Sequence, residues 1–324
     1  MTQPMSRHAR AFFIAMCVEL GAYAIYVGYG LWQGREALPL LGRVLLIFIA
    51  IRALMVAGNF LQTGLARSPR AQEHQIGLLA SLRLYLNELW AALWTYPFYF
   101  ALEPWLVPSA PVPGLPHQGS PIVLVPGFLC NRGYYGQFRR FLQRQGYGQV
   151  WAVTLEPVFG SIEDNARHLG ELIEQICAET GADKLVLIGH SMGGVVIRTY
   201  LDTQGGAKRV ERAIALGSPF GGTVLAAGPR GLGENLRQMI PGNAWLAELA
   251  GHERQPCPVP FTAIWSPHDS IVAPQNGTRV SDIYGQNIAL PGVGHMEMIV
   301  SRPIMQAVLG CLQADAKGAA NCSG

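Results

Sequence analysis

Charge is what this chain lacks. Asp, Glu, Lys and Arg make up 14% of its 324 residues, half of the residues are hydrophobic, and the mean hydropathy is +0.21. An ordinary soluble domain carries about a quarter charged residues, so the composition is unusual for a soluble enzyme. Lysine is nearly missing, with three residues against 21 Arg. The net charge of +3 arises before residue 110, where eight Arg face five acids; the remainder is balanced. No basic stripe is left for a nucleic acid, so none is expected as a partner. The six cysteines show neither C-x-x-C nor zinc spacing, and they leave the redox compartment open. A Cys257–Cys311 bridge would need an oxidising compartment. Cys130 reads as packing. With no nucleotide-binding loop and no internal repeat, neither a cofactor nor a metal is expected.

Long hydrophobic runs are present instead, and they are concentrated at the start. Residues 11–32 carry one acid, Glu19, and residues 40–61 carry Arg43 and Arg52. Each run makes about 33 Å of helix, enough to cross a bilayer, and the short connection makes them an antiparallel hairpin. Residues 1–75 are thus expected to be a membrane anchor. Ala22-Tyr-Ala24 resembles a signal-peptide cleavage site, but apolar sequence continues past it and a second run follows, which favours a retained anchor. Glu19 and Arg52 fall at nearly the same depth and are expected to pair, relieving two lone charges in lipid. Arg43 lies near a helix end and can snorkel. Residues 76–107 are rich in Leu and aromatics, but their longest uncharged stretch is 14 residues and contains Pro97. That suits an interfacial helix, with a third membrane helix or packing on the following domain as alternatives. Residues 108–120 read as a Pro-rich linker. Arg7, Arg10, Arg67 and Arg70 flank the hairpin, which puts both its ends in the cytoplasm. The catalytic part then faces the cytoplasm unless 76–107 crosses. The Arg bias suits a GC-rich bacterium, so a bacterial inner membrane is expected.

Residues 187–194, Leu-Ile-Gly-His-Ser-Met-Gly-Gly, place Ser191 in a G-x-S-x-G frame behind the apolar run 185–188. A strand feeding a sharp glycine-lined turn lifts the serine oxygen off the strand end and starts a helix behind it. Pro121–Phe128 supplies an earlier strand and glycine turn. Asp269 follows the apolar run that starts at Phe261, and His295 follows the run at 288–290. All three side chains therefore fall on loops after strands, where such sheets place their chemistry. A serine hydroxyl needs a base within reach, here His295, and Asp269 would orient that imidazole. The backbone N–H groups of Phe128 and Met192 would hold the oxyanion. Glu297 and Asp282 are alternative acids, but neither follows the apolar strand that precedes Asp269. His268 is a competing base; His190 and His252 read as structural and solvated.

From about 118 to 312 the chain resembles bacterial lipases and esterases of the α/β-hydrolase superfamily. The matching segments are Val-Pro-Gly-Phe128, Gly-His-Ser-Met-Gly193, Ala215–Thr223, Ser-Pro-His-Asp269 and Gly-Val-Gly-His295. Pro126 departs from the family, standing where many of these lipases have His. The resemblance implies an α/β-hydrolase fold over residues 121–316, a mostly parallel sheet flanked by helices, with 317–324 a flexible tail. Strands are expected near 121, 150, 185, 212, 261 and 287, and helices over 161–179, 192–204 and 301–315. Segment 224–250 suits either a lid with an acyl-chain pocket or an ordinary helix pair. The expected activity is ester hydrolysis through an acyl-serine. Location at a bilayer points to a lipid acyl ester as substrate, whether phospholipid, lysophospholipid or acylglycerol. Acyl transfer, or deacylation of a lipidated protein, uses the same residues, and a non-catalytic membrane scaffold is the remaining alternative. The sequence fixes no oligomeric state.

Overall fold

The structure, a computed structural model, describes residues 5–228 and 232–321. Two long helices come first, α1 (Arg7–Trp32) and α2 (Ala37–Leu65). They are 26 and 29 residues long, apolar enough to cross a membrane, and almost unburied by the rest of the chain. Ile14, Val18, Ile25, Leu46, Leu54 and Leu65 are among the large side chains they leave exposed. A water-soluble surface rarely carries so continuous an apolar face. Within the hairpin, Arg52 meets Glu19 through two hydrogen bonds of 2.5 and 2.6 Å, as expected.

Both ends of the hairpin meet the following domain. The Arg7 N–H donates to Glu156 Oε1 (3.3 Å), the Ser68 hydroxyl donates to Asn276 Oδ1 (2.8 Å), and Arg70 Nε donates to the Pro267 carbonyl (2.9 Å). Next come α3 (Leu78–Trp94), a π-helical turn (Thr95–Phe100) and α4 (Glu103–Leu106). The α3 helix is two-faced: Leu84, Glu88, Ala91 and Ala92 are buried, while Leu82, Leu86, Trp90 and Trp94 are exposed. The Tyr85 hydroxyl ties it to α2 through the Ala53 carbonyl (2.8 Å). The C-terminal end of this arm docks on the following domain. Arg132 and Glu103 form a buried charge pair at 2.9 Å, and Arg132 Nε also donates to the Val107 carbonyl (3.0 Å). Arg139 holds the carbonyls of Pro108 and Ala110, so the first residues of the Pro-rich linker are clamped to the domain surface.

The remainder alternates strand and helix: β1 (Ile122–Val125), α5 (Gly136–Arg144), β2 (Val150–Ala152), α6 (Ile162–Thr180), β3 (Leu185–His190), α7 (Met192–Thr203), β4 (Val210–Leu216), α8 (Glu234–Gln238), α9 (Ala244–Gly251), β5 (Phe261–Trp265), β6 (Gln286–Ala289) and α10 (Arg302–Asn321). The six strands form one parallel sheet in the order β2-β1-β3-β4-β5-β6. The four-residue β1 and six-residue β3 are wholly buried, which is why both read as unbroken apolar runs. One core layer joins the sheet to α6 and α7, and a second joins it to α5, α10 and the arm. The α6 helix starts in a capping box, Ser161 with Asp164, and stops at Gly181 in the left-handed region. Within 224–250, Leu236, Met239 and Leu249 join the first layer, Leu246 is buried, and Trp245 is bonded to Glu163 on α6. Residues 229–231 and 322–324, including Cys322, lie outside the described residues. The other five cysteines are free, so no Cys257–Cys311 bridge forms.

Candidate active site

At the end of β3, Ser191 adopts φ 55° and ψ −129°. A non-glycine residue held there is strained, and the strain persists because the strand and α7 fix both sides. Gly193 permits the turn: a Cβ at that position would lie 2.2 Å from the Val125 carbonyl oxygen. The turn after β1 runs equally close. A Cβ on Gly127 would lie 2.8 Å from Ser191 Cβ, so the Gly127–Phe128 backbone borders the serine. Met192 opens α7, and its N–H has no intrahelical acceptor. These are the positions assigned to the two oxyanion donors.

Asp269 and His295 come together below the surface. Asp269 is 1% exposed; its Oδ1 accepts from the backbone N–H groups of Ile271 (2.8 Å) and Val272 (2.6 Å). Its Oδ2 lies 2.8 Å from His295 Nδ1. A carboxylate only accepts, so Nδ1 carries the proton and Nε2 is left with its lone pair. Burial works to lower the His295 pKa, but the charge and hydrogen bond of Asp269, joined by the charge of Glu88, leave it raised. No hydrogen bond joins Ser191 Oγ to His295 among the described residues.

The other histidines separate cleanly. The His190 ring lies 4.5 Å from that of His295, and its Nε2 bonds the His295 carbonyl oxygen (3.1 Å). Burial, then the charge of His295, hold His190 well below the usual pKa, so it is a neutral brace under the histidine loop. The Tyr134 hydroxyl supports the same loop by donating to the Met296 carbonyl (3.1 Å). His268 accepts from the Gly292 N–H through Nδ1 (3.1 Å), and burial, then Arg70 and His74, push its pKa down to about 4. His252 lies at the end of α9 beside Asp202. Of the alternative acids, Asp282 is on the surface with Arg279 and Asn287. Glu297 is buried but accepts from the Gly294 N–H, not from the imidazole.

Sequence reasoning missed Glu88. This α3 residue is 1% exposed and reaches the histidine loop, where Oε1 accepts from the Glu297 N–H (2.8 Å) and Oε2 from the Ser270 hydroxyl (2.5 Å). The one available signal was a lone acid on the inner face of a helix whose outer face is apolar. Cys130, beside the oxyanion turn, has its thiol pushed up to about 12 by burial and is inert packing. Among the described residues no three His, Cys, Asp or Glu side chains gather as metal ligands.

A cavity of about 590 Å³ opens beside the turn that follows β1. Ala11, Phe12 and Ala15 of α1 form one wall; Leu129, Val158 and Phe159 form the other. Leu129 directly follows Phe128, whose ring lies 6.1 Å from that of Phe159.

The same architecture recurs in solved structures. The mature form of Bacillus licheniformis lipase BlEst2 is 19% identical, with a TM-score of 0.52 over 61% of this chain and 94% of that one. Its propeptide form gives 19% identity and a TM-score of 0.53 over 62% of this chain and 52% of that one. Aspergillus fumigatus lipase B gives 21% and 0.50 over 62% and 54%. At these identities the likeness is one of fold. Residues 122–281 match the model of the alpha/beta hydrolase family, and the parallel six-stranded sheet flanked by helices is the fold of that family.

Proposed function

We propose that the protein is a membrane-anchored serine hydrolase that cleaves carboxylic esters of lipids through an acyl-serine intermediate. The observation that carries this reading is the buried 2.8 Å contact of His295 with Asp269 on the sheet edge that also bears the strained Ser191. In the reaction Ser191 Oγ attacks the ester carbonyl carbon and His295 Nε2 takes the hydroxyl proton. The oxyanion is held by the N–H groups of Phe128 and Met192, and losing one such donor costs about 3–4 kcal/mol. As the C–O bond breaks, His295 returns the proton to the leaving alcohol. Water, deprotonated by His295, then releases the carboxylic acid and regenerates the serine. Asp269 orients the imidazole and stabilises its cation in both halves.

Lipid as the substrate class is supported by the anchor and by the cavity. Both hairpin ends meet the hydrolase domain, so the active site sits close to the bilayer surface where Arg7, Arg10, Arg67 and Arg70 cluster. By the positive-inside rule that surface is cytoplasmic. The cavity between α1 and the hydrolase domain offers room for an acyl tail whose ester carbonyl lies at the oxyanion turn. The test is fluorophosphonate labelling of the detergent-solubilised protein, followed by a panel of lipid esters. Wild type should label and Ser191→Ala should not. Folded wild type that never labels would defeat the reading.

A further inference from the structure

Catalytic histidines on loops need a rigid mount, and here part of the mount comes from outside the hydrolase domain. Glu88 lies on the inner face of α3, with Leu82, Leu86, Trp90 and Trp94 exposed on the outer face. Its carboxyl group is clamped by two donors from different loops. One is the Ser270 hydroxyl, adjacent to Asp269; the other is the Glu297 N–H, two residues past His295. Ser270 Oγ in turn accepts from the His295 backbone N–H (3.2 Å), so one side chain of the arm links the acid loop to the histidine loop. The fit is tight: a Cβ on Gly294 would lie 2.3 Å from Glu88 Cγ and Cδ, so a larger residue before His295 would expel the carboxyl.

We infer that Glu88 is a positioning residue of the active site, supplied by the membrane-proximal arm, which fixes the His295 loop and strengthens His295 as a base. This rests on the serine-hydrolase reading. The site is then composite: the hydrolase domain holds the reacting groups, and the arm that faces the bilayer sets their basicity. Two features make the role electrostatic as well as mechanical. The Glu88 charge acts on His295 in the same direction as Asp269, favouring the imidazolium that forms during attack. A glutamine removes that charge and keeps the mount, because its Oε1 can accept from the Glu297 N–H while its amide N–H₂ donates to the Ser270 oxygen, whose hydroxyl is free to turn. Other charges surround the pair. His295 also faces Asp269 and the neutral His190, while Glu88 faces Glu297, which has Asn87 and Arg83 on its other side. Burial pushes Glu88 up to about 7, so its charge is gained over the range in which a serine hydrolase works.

The experiment measures the fluorophosphonate labelling rate of the full chain in detergent as a function of pH, for wild type, Glu88→Gln and Ser270→Ala. The acid limb reports the base of the free enzyme. Removing the negative charge lowers the His295 pKa, so in Glu88→Gln the limb should move to lower pH by roughly half a unit or more. Its rate at the optimum should fall roughly tenfold. Ser270→Ala should move the limb the same way by less, since it removes a hydrogen bond that favours ionised Glu88. A loop that is merely loosened loses rate at every pH with the limb in place, and that outcome overturns the inference. Should Glu88→Gln fail to fold, Ser270→Ala decides alone: a displaced limb sustains the inference and a fixed one overturns it. Wild type that never labels overturns the serine-hydrolase reading itself, and the two failures are thereby distinct.

Discussion

Arg52 grips Glu19 with both guanidinium nitrogens, 33 residues apart in sequence and side by side in the hairpin. The Tyr23 hydroxyl also donates to Glu19 (2.6 Å), and the guanidinium carbon stacks 4.0 Å from the centre of the Phe48 ring. Among the described residues, neither charge has another partner of opposite sign. Replacing Glu19 by Leu leaves Arg52 alone at a cost of about 2.5–3.5 kcal/mol by insertion measurements. Glu19→Leu should therefore lower the yield of membrane-inserted protein. The Glu19→Leu/Arg52→Leu double variant should recover it. Equal yields of single and double variants in fractionated membranes would show that the pair does not matter for insertion.

Asp269 fixes the His295 tautomer through a single contact, so Asn at that position is the informative change. The asparagine amide can present N–H₂ to Nδ1, which favours the wrong tautomer while keeping the shape of the site. Labelling and ester turnover should fall on the order of 10³–10⁴-fold, with the melting temperature little changed. Turnover within tenfold of wild type would remove Asp269 from its assigned role and return attention to Glu297.

The strand positions and the His295–Asp269 contact were legible because local sequence determines them. The β3 run, the glycines around Ser191 and the apolar stretch before Asp269 each force a backbone path within a few residues. The Glu19–Arg52 pair was legible for a different reason: Glu19 is the one acid in the two apolar runs, Arg43 lies near a helix end, and helical rise puts Arg52 at the depth of Glu19. Glu88 was not legible. Its partners lie 182 and 209 residues away, and no periodicity says which loop a buried helix face will touch. The same limit hid Arg132 and Arg139, which turn the expected Pro-rich linker into a clamped segment. The role of His190 was half legible: its structural nature follows from the motif, but the ring contact with His295 depends on tertiary packing.

The clamp yields its own prediction. Glu103 is fully buried against Arg132, and burial raises its pKa while Arg132 only partly offsets that rise. Truncating one partner of a buried pair costs about 3–5 kcal/mol, because the other is left uncompensated. Arg132→Ala should lower the melting temperature in detergent and expose residues 107–120 to protease before the hydrolase core is cut. Simultaneous cleavage of both regions would mean that the arm is not held by this pair.

Glu297 predicts how stability depends on pH. Burial, then the neighbouring Glu88, push its carboxyl up to about 8 in the folded state, well above the usual value for an unfolded chain. Between those two values the folded state binds more protons than the unfolded one, so stability falls as pH rises. The contribution is complete below the unfolded pKa and is lost as pH passes about 8. Glu297→Gln keeps an acceptor for the Gly294 N–H and removes the ionisation. Its melting temperature should drop less than that of wild type between pH 5 and pH 8.5. Parallel melting curves for the two proteins would show that Glu297 is not held protonated.

Ala15 offers a test of where the acyl chain lies. It lines the 590 Å³ cavity from α1, opposite Phe159, and is small enough that Trp at this position would fill much of the space. Ala15 is remote from Ser191 in sequence and belongs to the N-terminal hairpin, so the substitution leaves the reacting groups in place. An acyl tail that enters this cavity should then be shortened or excluded, while a short-chain ester still reaches the oxyanion turn. Ala15→Trp should lower the turnover of long-chain esters relative to butyrate esters by roughly tenfold, the scale on which an apolar pocket discriminates chain length. The ratio matters more than either rate, because a general disturbance of the anchor slows both. An unchanged ratio would place the acyl chain elsewhere and leave the cavity as a packing defect between α1 and the hydrolase domain.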